Sequence, residues 1–158
     1  AQALRDTHQF RIVGDGARRQ TLHTACEGLS NVEFCAPVKR DILIEEYRQA
    51  DVLMLHLDRL LSFEKVLPSK IFEYGATGKP IVAGVSGFAA RFVTEEIDNA
   101  TVFESLSGPG LGSALAKIVL GTTPRGDFCK RYRRNSIMKA RTADLLHTAA
   151  GGEGRSVL

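Results

Sequence analysis

The sequence is short of the features that mark several classes of protein. It has only three cysteines, Cys26, Cys35 and Cys129. Their number is odd and their spacing fits neither a disulfide framework nor a zinc site, so they read as small buried hydrophobes in a reducing compartment. Apolar runs such as Ile81-Val82-Ala83 fall far short of the roughly 20 residues that span a bilayer. The N-terminal AQALRDTHQF has no charged-then-apolar layout and is not read as a signal peptide. A charge excess is missing too: 21 Lys and Arg stand against 18 Asp and Glu, a net +3. That balance is too mild to imply nucleic acid as a partner, and no aromatics interleave with basic residues as in a single-strand reader. What remains is an ordinary globular composition, with 158 residues, 44% hydrophobic and 25% charged, enough for one domain with its own core.

Along the chain, apolar strands alternate with amphipathic helical stretches. Phe10-Arg11-Ile12-Val13 reads as a strand closed by Gly14-Asp15-Gly16, after which Leu22, Ala25, Cys26 and Leu29 mark one helix face. Val32–Cys35 is the next strand, ended by Ala36-Pro37, and Asp41 is placed to cap a helix with the stripe Leu43, Tyr47 and Ala50. Val52–Leu57 is nearly all apolar, as in a strand covered on both faces. A looser stretch over 58–67 precedes a helix with inner face Ile71, Phe72 and Gly75, stopped at Gly78, with Pro80 leading into the strand 81–83. A helix near 88–95, a strand at 101–103 and a helix striped by Leu111, Leu115, Ile118 and Val119 follow. One or two further helices are expected over 126–148, and Gly151–Gly154 reads as a frayed tail. Alternation of this kind means βαβ units and a Rossmann-like, three-layer α/β/α fold with a parallel sheet. Residues 1–150 are read as one domain and 151–158 as its tail. Ala1–Arg5 reads as the end of a helix with no start signal, so the domain is expected to be truncated at its N-terminus.

Open parallel sheets bind ligands beyond the carboxyl ends of their strands. The loops at 14–16, 36–40, 56–69 and 84–87 are therefore the candidate site. Gly14-Asp15-Gly16 suits a strand-to-helix turn that lets a phosphate or a second domain approach the backbone, or simply a tight turn. It is not the dinucleotide fingerprint, because Arg18 and Arg19 stand where a third glycine is needed. In Leu67-Pro68-Ser69-Lys70-Ile71-Phe72-Glu73-Tyr74, Ser69 can cap a helix and Glu73 lies one turn above it. Lys70 sits in the first turn, where a cation opposes the helix dipole. Lysine with helix-start amides can cradle a diphosphate, and a carboxylate one turn deeper can accept from a ribose diol. A solvated Lys–Glu pair accounts for the same spacing.

At this segment the resemblance becomes specific. LPSKIFEYGATGKPIVAG, preceded by FRIVGDGARRQTL and VEFCAPVKRDILIEEYRQADVLMLHL, resembles the nucleotide-sugar-binding domain of GT-B glycosyltransferases, over roughly residues 9–120. The nearest likeness is to the retaining family-four enzymes of bacterial lipopolysaccharide, O-antigen and capsule assembly. That family has two Rossmann-like domains across a cleft, and the chain resembles the C-terminal, donor-binding one. The resemblance implies that an N-terminal, acceptor-binding domain and the first strand of this domain belong to a longer protein, and that the 158 residues alone have no transferase activity. It implies a nucleotide-diphosphate sugar as donor and a glycan or polyprenyl-linked acceptor. It further implies a cytoplasmic enzyme, with a peripheral position at the inner membrane face as one option.

Residue by residue, Glu73 matches the second glutamate of the family's Glu-seven-residues-Glu pattern, which binds the ribose hydroxyls. Ser69 and Lys70 fall where the chain faces diphosphate and sugar, Gly14, Asp15 and Gly16 match the loop near the donor, and Pro37 and Val38 lie where backbone groups contact the base. Lys70 is the implied catalytic group, stabilising charge on the leaving diphosphate. With cationic groups in that role and no Asp-x-Asp pair in the sequence, no metal or other cofactor is expected. One departure stands out: eight residues before Glu73 is Lys65, and Glu64 is one residue out of register, so the residue contacting the sugar is left open. Among other candidates, His56 reads as a satisfied strand-end histidine near the cleft, with contact to substrate as the other option, while His8, His23 and His147 are scattered. Asp58 and Glu64 have no fixed separation, and Lys130–Arg134 reads as a solvated helix face with a membrane-surface role as the other option. Two other functions fit the pattern. One is a non-catalytic nucleotide-binding or regulatory α/β module, which an acidic cluster at the first strand's end would favour and this sequence lacks; the other is a nucleotide-sugar epimerase of GT-B form.

Overall fold

The computed structural model describes residues 1–58 and 60–133. The helices expected beyond residue 133, the tail, Arg134 and His147 lie outside the described residues. The chain falls into two compact units, residues 1–49 and the residues from Ala50 onward. Both are parallel α/β, and the fold is Rossmann-like.

In the first unit, a single 3₁₀ turn at Gln2–Leu4 precedes β1 (Phe10–Val13), α1 (Arg19–Ala25), β2 (Val32–Cys35) and α2 (Arg40–Gln49). The strands pair in parallel, Phe10 opposite Val32 through Val13 opposite Cys35. Asn31 is buried just before β2, and its Nδ2 donates to the carbonyls of His8 at 3.0 Å and Ala1 at 3.2 Å. Arg11 on β1 reaches Glu46 on α2 at 2.9 Å. Two features of this unit differ from expectation. The α1 stripe is not buried: the helix stops at Ala25 before reaching Leu29, and Leu22 is 47% exposed. Asp41 does not cap α2, because the helix already begins at Arg40, leaving Asp41 inside the first turn. Tyr47 is the residue of α2 that is buried.

The second unit runs β3 (Leu53–His56), a 3₁₀ turn at Leu61–Lys65, α3 (Lys70–Thr77), β4 (Ile81–Gly84), α4 (Gly87–Glu96), β5 (Ala100–Phe103), α5 (Gly108–Leu115) and α6 (Gly126–Tyr132). The strands are ordered β3-β4-β5, all parallel. Central β4 is buried at all four positions. The edge strand β3, expected to be covered on both faces, alternates instead: Leu53 and Leu55 are buried while Met54 is 40% exposed. Ile71, Ile81, Val82 and Val93 form the fully buried centre. Phe72, Phe92, Phe128 and Tyr132 join α3, α4 and α6 in an aromatic cluster with ring centroids 4.8–6.4 Å apart. Gly78 ends α3 in a left-handed cap, as its position predicts.

The helical stripe expected to run to Val119 ends early. The side chain of Asn99 takes both backbone groups of Val119, donating to its carbonyl at 2.8 Å and accepting from its N–H at 3.2 Å. The helix α5 itself closes at Leu115, after which Lys117 and Ile118 bond three residues back. The Asn99 pairing holds Val119 outside the helix, where it is 71% exposed, and the buried face of α5 is Leu111 and Ala114. Cys26, Cys35 and Cys129 are free thiols, part-exposed rather than buried. No helix among the described residues is long and apolar enough to cross a membrane.

Candidate functional site

Each unit carries one group of the residues singled out above. Because β1 and β2 run in parallel, the segments that leave them emerge at the same end of the pair. Gly14, Asp15 and Gly16 follow β1; Pro37 and Val38 follow β2. Gly14 has φ +137°, a region open to glycine and strained for other residues. Its N–H donates to the Cys35 carbonyl at 3.2 Å, extending the ladder by one bond. Gly16 has neither a positive φ nor a neighbour that a Cβ would meet, so the fold itself sets no demand for glycine there. Asp15, Gly16 and Pro37 are exposed and Val38 half-buried.

Arg19 joins the two strand ends. Its Nη1 donates to the Gly14 carbonyl at 2.5 Å and to the Cys35 carbonyl at 2.8 Å. The guanidinium carbon lies 5.9 Å from the centre of the Phe34 ring. Sequence reasoning met Arg19 only as a departure from a glycine fingerprint; nothing in its spacing signals a contact 16 residues away.

In the second unit, α3 begins after the long connection from β3 and ends just before β4, so its N-terminus lies at the carboxyl edge of the three strands. Lys70 is its first residue and is exposed; Glu73 is half-buried one turn on. Ser69 occupies the N-cap position without capping. Its backbone is already helical, φ −57° and ψ −30°, and its side chain makes no cap hydrogen bond. The first amides are tied into the turn instead, Ile71 donating to the Pro68 carbonyl at 3.0 Å and Phe72 to that of Ser69 at 3.2 Å. The diphosphate cradle expected from helix-start amides is therefore reduced by these two donors. Next to Glu73, burial pushes the Tyr74 phenol above its ordinary range, and the Glu73 carboxylate adds to the shift.

Other groups gather at the same edge of β3-β4-β5. The Leu106 N–H donates to His56 Nε2 at 3.4 Å, and the His56 ring lies 6.4 Å from that of Phe103. Leu106, with φ +68°, is a left-handed non-glycine. His56 is thus a bonded strand-end histidine, in line with its sequence reading. The backbone of Glu64 packs directly on Gly87 at the start of α4, where any Cβ would overlap the Glu64 carbonyl. That contact fixes the 3₁₀ turn carrying Glu64 and Lys65, both exposed. Of the basic run, Lys130 pairs with Asp127 at 3.3 Å and Arg131 with Glu96 at 2.5 Å.

Arg125 has no periodic signal in the sequence, yet it is 6% exposed. Its Nε and Nη2 donate to the Asp98 carbonyl at 2.9 and 2.5 Å, and its Nη1 reaches the Gly75 carbonyl of α3 at 3.3 Å. Among the described residues, no group of three or more His, Cys, Asp or Glu is placed to hold a metal ion.

Residues 1–119 match the family described as glycosyl transferases group 1. No curated protein matches the chain.

Proposed function

Because the chain belongs to the group 1 glycosyltransferases, we propose that it is the donor-binding part of an enzyme that moves a sugar from a nucleotide diphosphate to a lipid-linked bacterial surface glycan. The observation that carries this reading is the position of Lys70, an exposed cation heading an eight-residue helix at the carboxyl edge of a parallel sheet. A cation there opposes the helix dipole, which a purely structural helix avoids. An anionic ligand reverses the sign of that interaction. Glu73, one turn deeper, accepts hydrogen bonds from the ribose hydroxyls.

When the glycosidic bond to the donor breaks, the electron pair goes to the leaving diphosphate. Lys70 meets that charge as it grows on the β-phosphate, in the manner of an electrostatic rather than a proton-transferring catalyst. Ser69 lies beside it at the mouth of the same helix. Gly14, Asp15 and Gly16 are assigned near the donor by the resemblance to the GT-B glycosyltransferases, with Gly16 kept small for the ligand. The backbone of Pro37 and Val38 reads the edge of the base. A cationic side chain in the charge-stabilising role removes the need for a divalent metal. Retention of configuration and the lipid-linked acceptor rest on the resemblance to the family-four enzymes.

The test is ligand-observed NMR of the protein against UDP, GDP, ADP, CDP and dTDP. Saturable binding of at least one, displaced by the matching nucleotide sugar, is the expected result. Absence of binding by all five would contradict the donor-site reading.

A further inference from the structure

We propose that Arg19 is a positioning residue that sets which nucleobase the donor site accepts; the inference rests on the donor-site reading above. A single guanidinium nitrogen holds the carbonyls of Gly14 and Cys35, the residue just after β1 and the last residue of β2. Each strand has only four residues, so few ladder bonds restrain the strand ends against fraying. Beyond one carbonyl the chain continues to Asp15-Gly16, and beyond the other to Ala36-Pro37-Val38. One ladder bond joins the two strand ends at this point, from the Gly14 N–H to the Cys35 carbonyl. Arg19 adds the side-chain tie that holds both carbonyls, and so the spacing of the Gly14–Gly16 loop and the base-reading loop, against opening.

Two further observations favour a dedicated role. Arg19 opens α1, where a cation is disfavoured by the helix dipole. Its planar group also lies over the Phe34 ring, which is in turn packed against His23 at 5.2 Å. The guanidinium is thereby fixed from a second side. Lysine in its place keeps the charge but has a shorter reach and no planar face for the ring. Base selectivity depends on placing a few polar backbone groups against the base edge, and misplacement leaves them unpaired. A small widening between the loops thus reduces discrimination more than it reduces attraction for phosphate.

The experiment is calorimetric titration of the protein, Arg19→Ala and Arg19→Lys with the best-bound and the next-best nucleoside diphosphate, and with inorganic diphosphate. The readout is the ratio of the two nucleotide affinities. Arg19→Ala should reduce the ratio about tenfold, or toward unity where it starts smaller, corresponding to one decade in Kd. Arg19→Lys should fall between, and inorganic diphosphate should bind all three alike. An unchanged ratio in Arg19→Ala overturns the inference, as does an equal loss for inorganic diphosphate and both nucleotides, which would make Arg19 a charge rather than a spacer. If the alanine variant does not fold, the lysine variant decides by the same ratio. Failure of the wild type to bind any nucleoside diphosphate overturns the donor-site reading itself, and this inference with it.

Discussion

The ring of Phe128 on α6 lies against the backbone of Gly75 on α3 so closely that a Cβ on Gly75 would overlap it. Arg125, at the start of α6, donates to the carbonyl of the same glycine at 3.3 Å. The helix headed by Lys70 is thus held at its far end by both a ring and a guanidinium. Its orientation at the ligand edge is a property of packing with α4 and α6 as much as of its own sequence.

Gly75→Ala separates packing from helix propensity, because the two have opposite signs. Propensity alone favours alanine in a helix by about 1 kcal/mol. Overlap with Phe128, which is 7% exposed and enclosed by Phe92 and Tyr132, reverses this, with an expected net loss of about 1–3 kcal/mol. Urea unfolding measures the difference. A variant more stable than wild type would show that the contact yields freely.

Arg125 is a second structural anchor. Burial lowers its pKa, yet three carbonyls, those of Asp98, Asn99 and Gly75, accept from its fork. Arg125→Met removes the donors to the Asp98 carbonyl, while the carbonyls of Gly75 and Asn99 keep the N–H groups of Gly78 and Ile81; it should lose about 1–3 kcal/mol. Arg125→Lys should recover little, since one ammonium cannot reproduce the fork. The check is thermal unfolding of both variants; a lysine variant melting with the wild type would show that charge alone suffices.

Lys70→Ala should weaken a nucleoside diphosphate about tenfold and leave the corresponding nucleoside unaffected, because the cation meets only phosphate. The difference should shrink as salt is raised, since Lys70 is exposed. Titrations at low and high salt with both ligands measure it. Equal weakening of nucleoside and diphosphate would move Lys70 away from the phosphates.

The strands were legible because short apolar runs bounded by glycine, proline and polar turns have few other readings: β1, β2, β4 and β5 lie within one residue of their expected places. Lys70 at the head of α3 and the stop at Gly78 followed from local backbone rules. Misses arose where a distant partner decided the outcome. Asn99 holds Val119 outside the helix, and a side chain 20 residues away leaves no periodic trace. Ser69 had the right residue type for a cap, yet its helical backbone put the side chain out of that role. Arg19 and Arg125 are polar residues whose partners are backbone carbonyls, and since every residue carries a carbonyl the sequence does not mark which one accepts. The strand β3 read as doubly covered because composition does not distinguish an edge from a centre; its place at the edge exposes Met54.

The donor-site reading is tested most directly at Glu73, one helical turn from Lys70 and half-buried. Glu73→Gln keeps the size and removes the charge, and hydrogen bonds to a charged acceptor contribute roughly 1.5–3 kcal/mol each. Calorimetric titration of wild type and Glu73→Gln with the preferred nucleoside diphosphate, alongside a thermal melt of each, is the measurement. Affinity is expected to drop roughly 10- to 100-fold while the melting temperature stays close to that of the wild type. Equal affinities, or a large fall in melting temperature without a specific loss of binding, would contradict the donor-site reading and make Glu73 a structural residue of the helix.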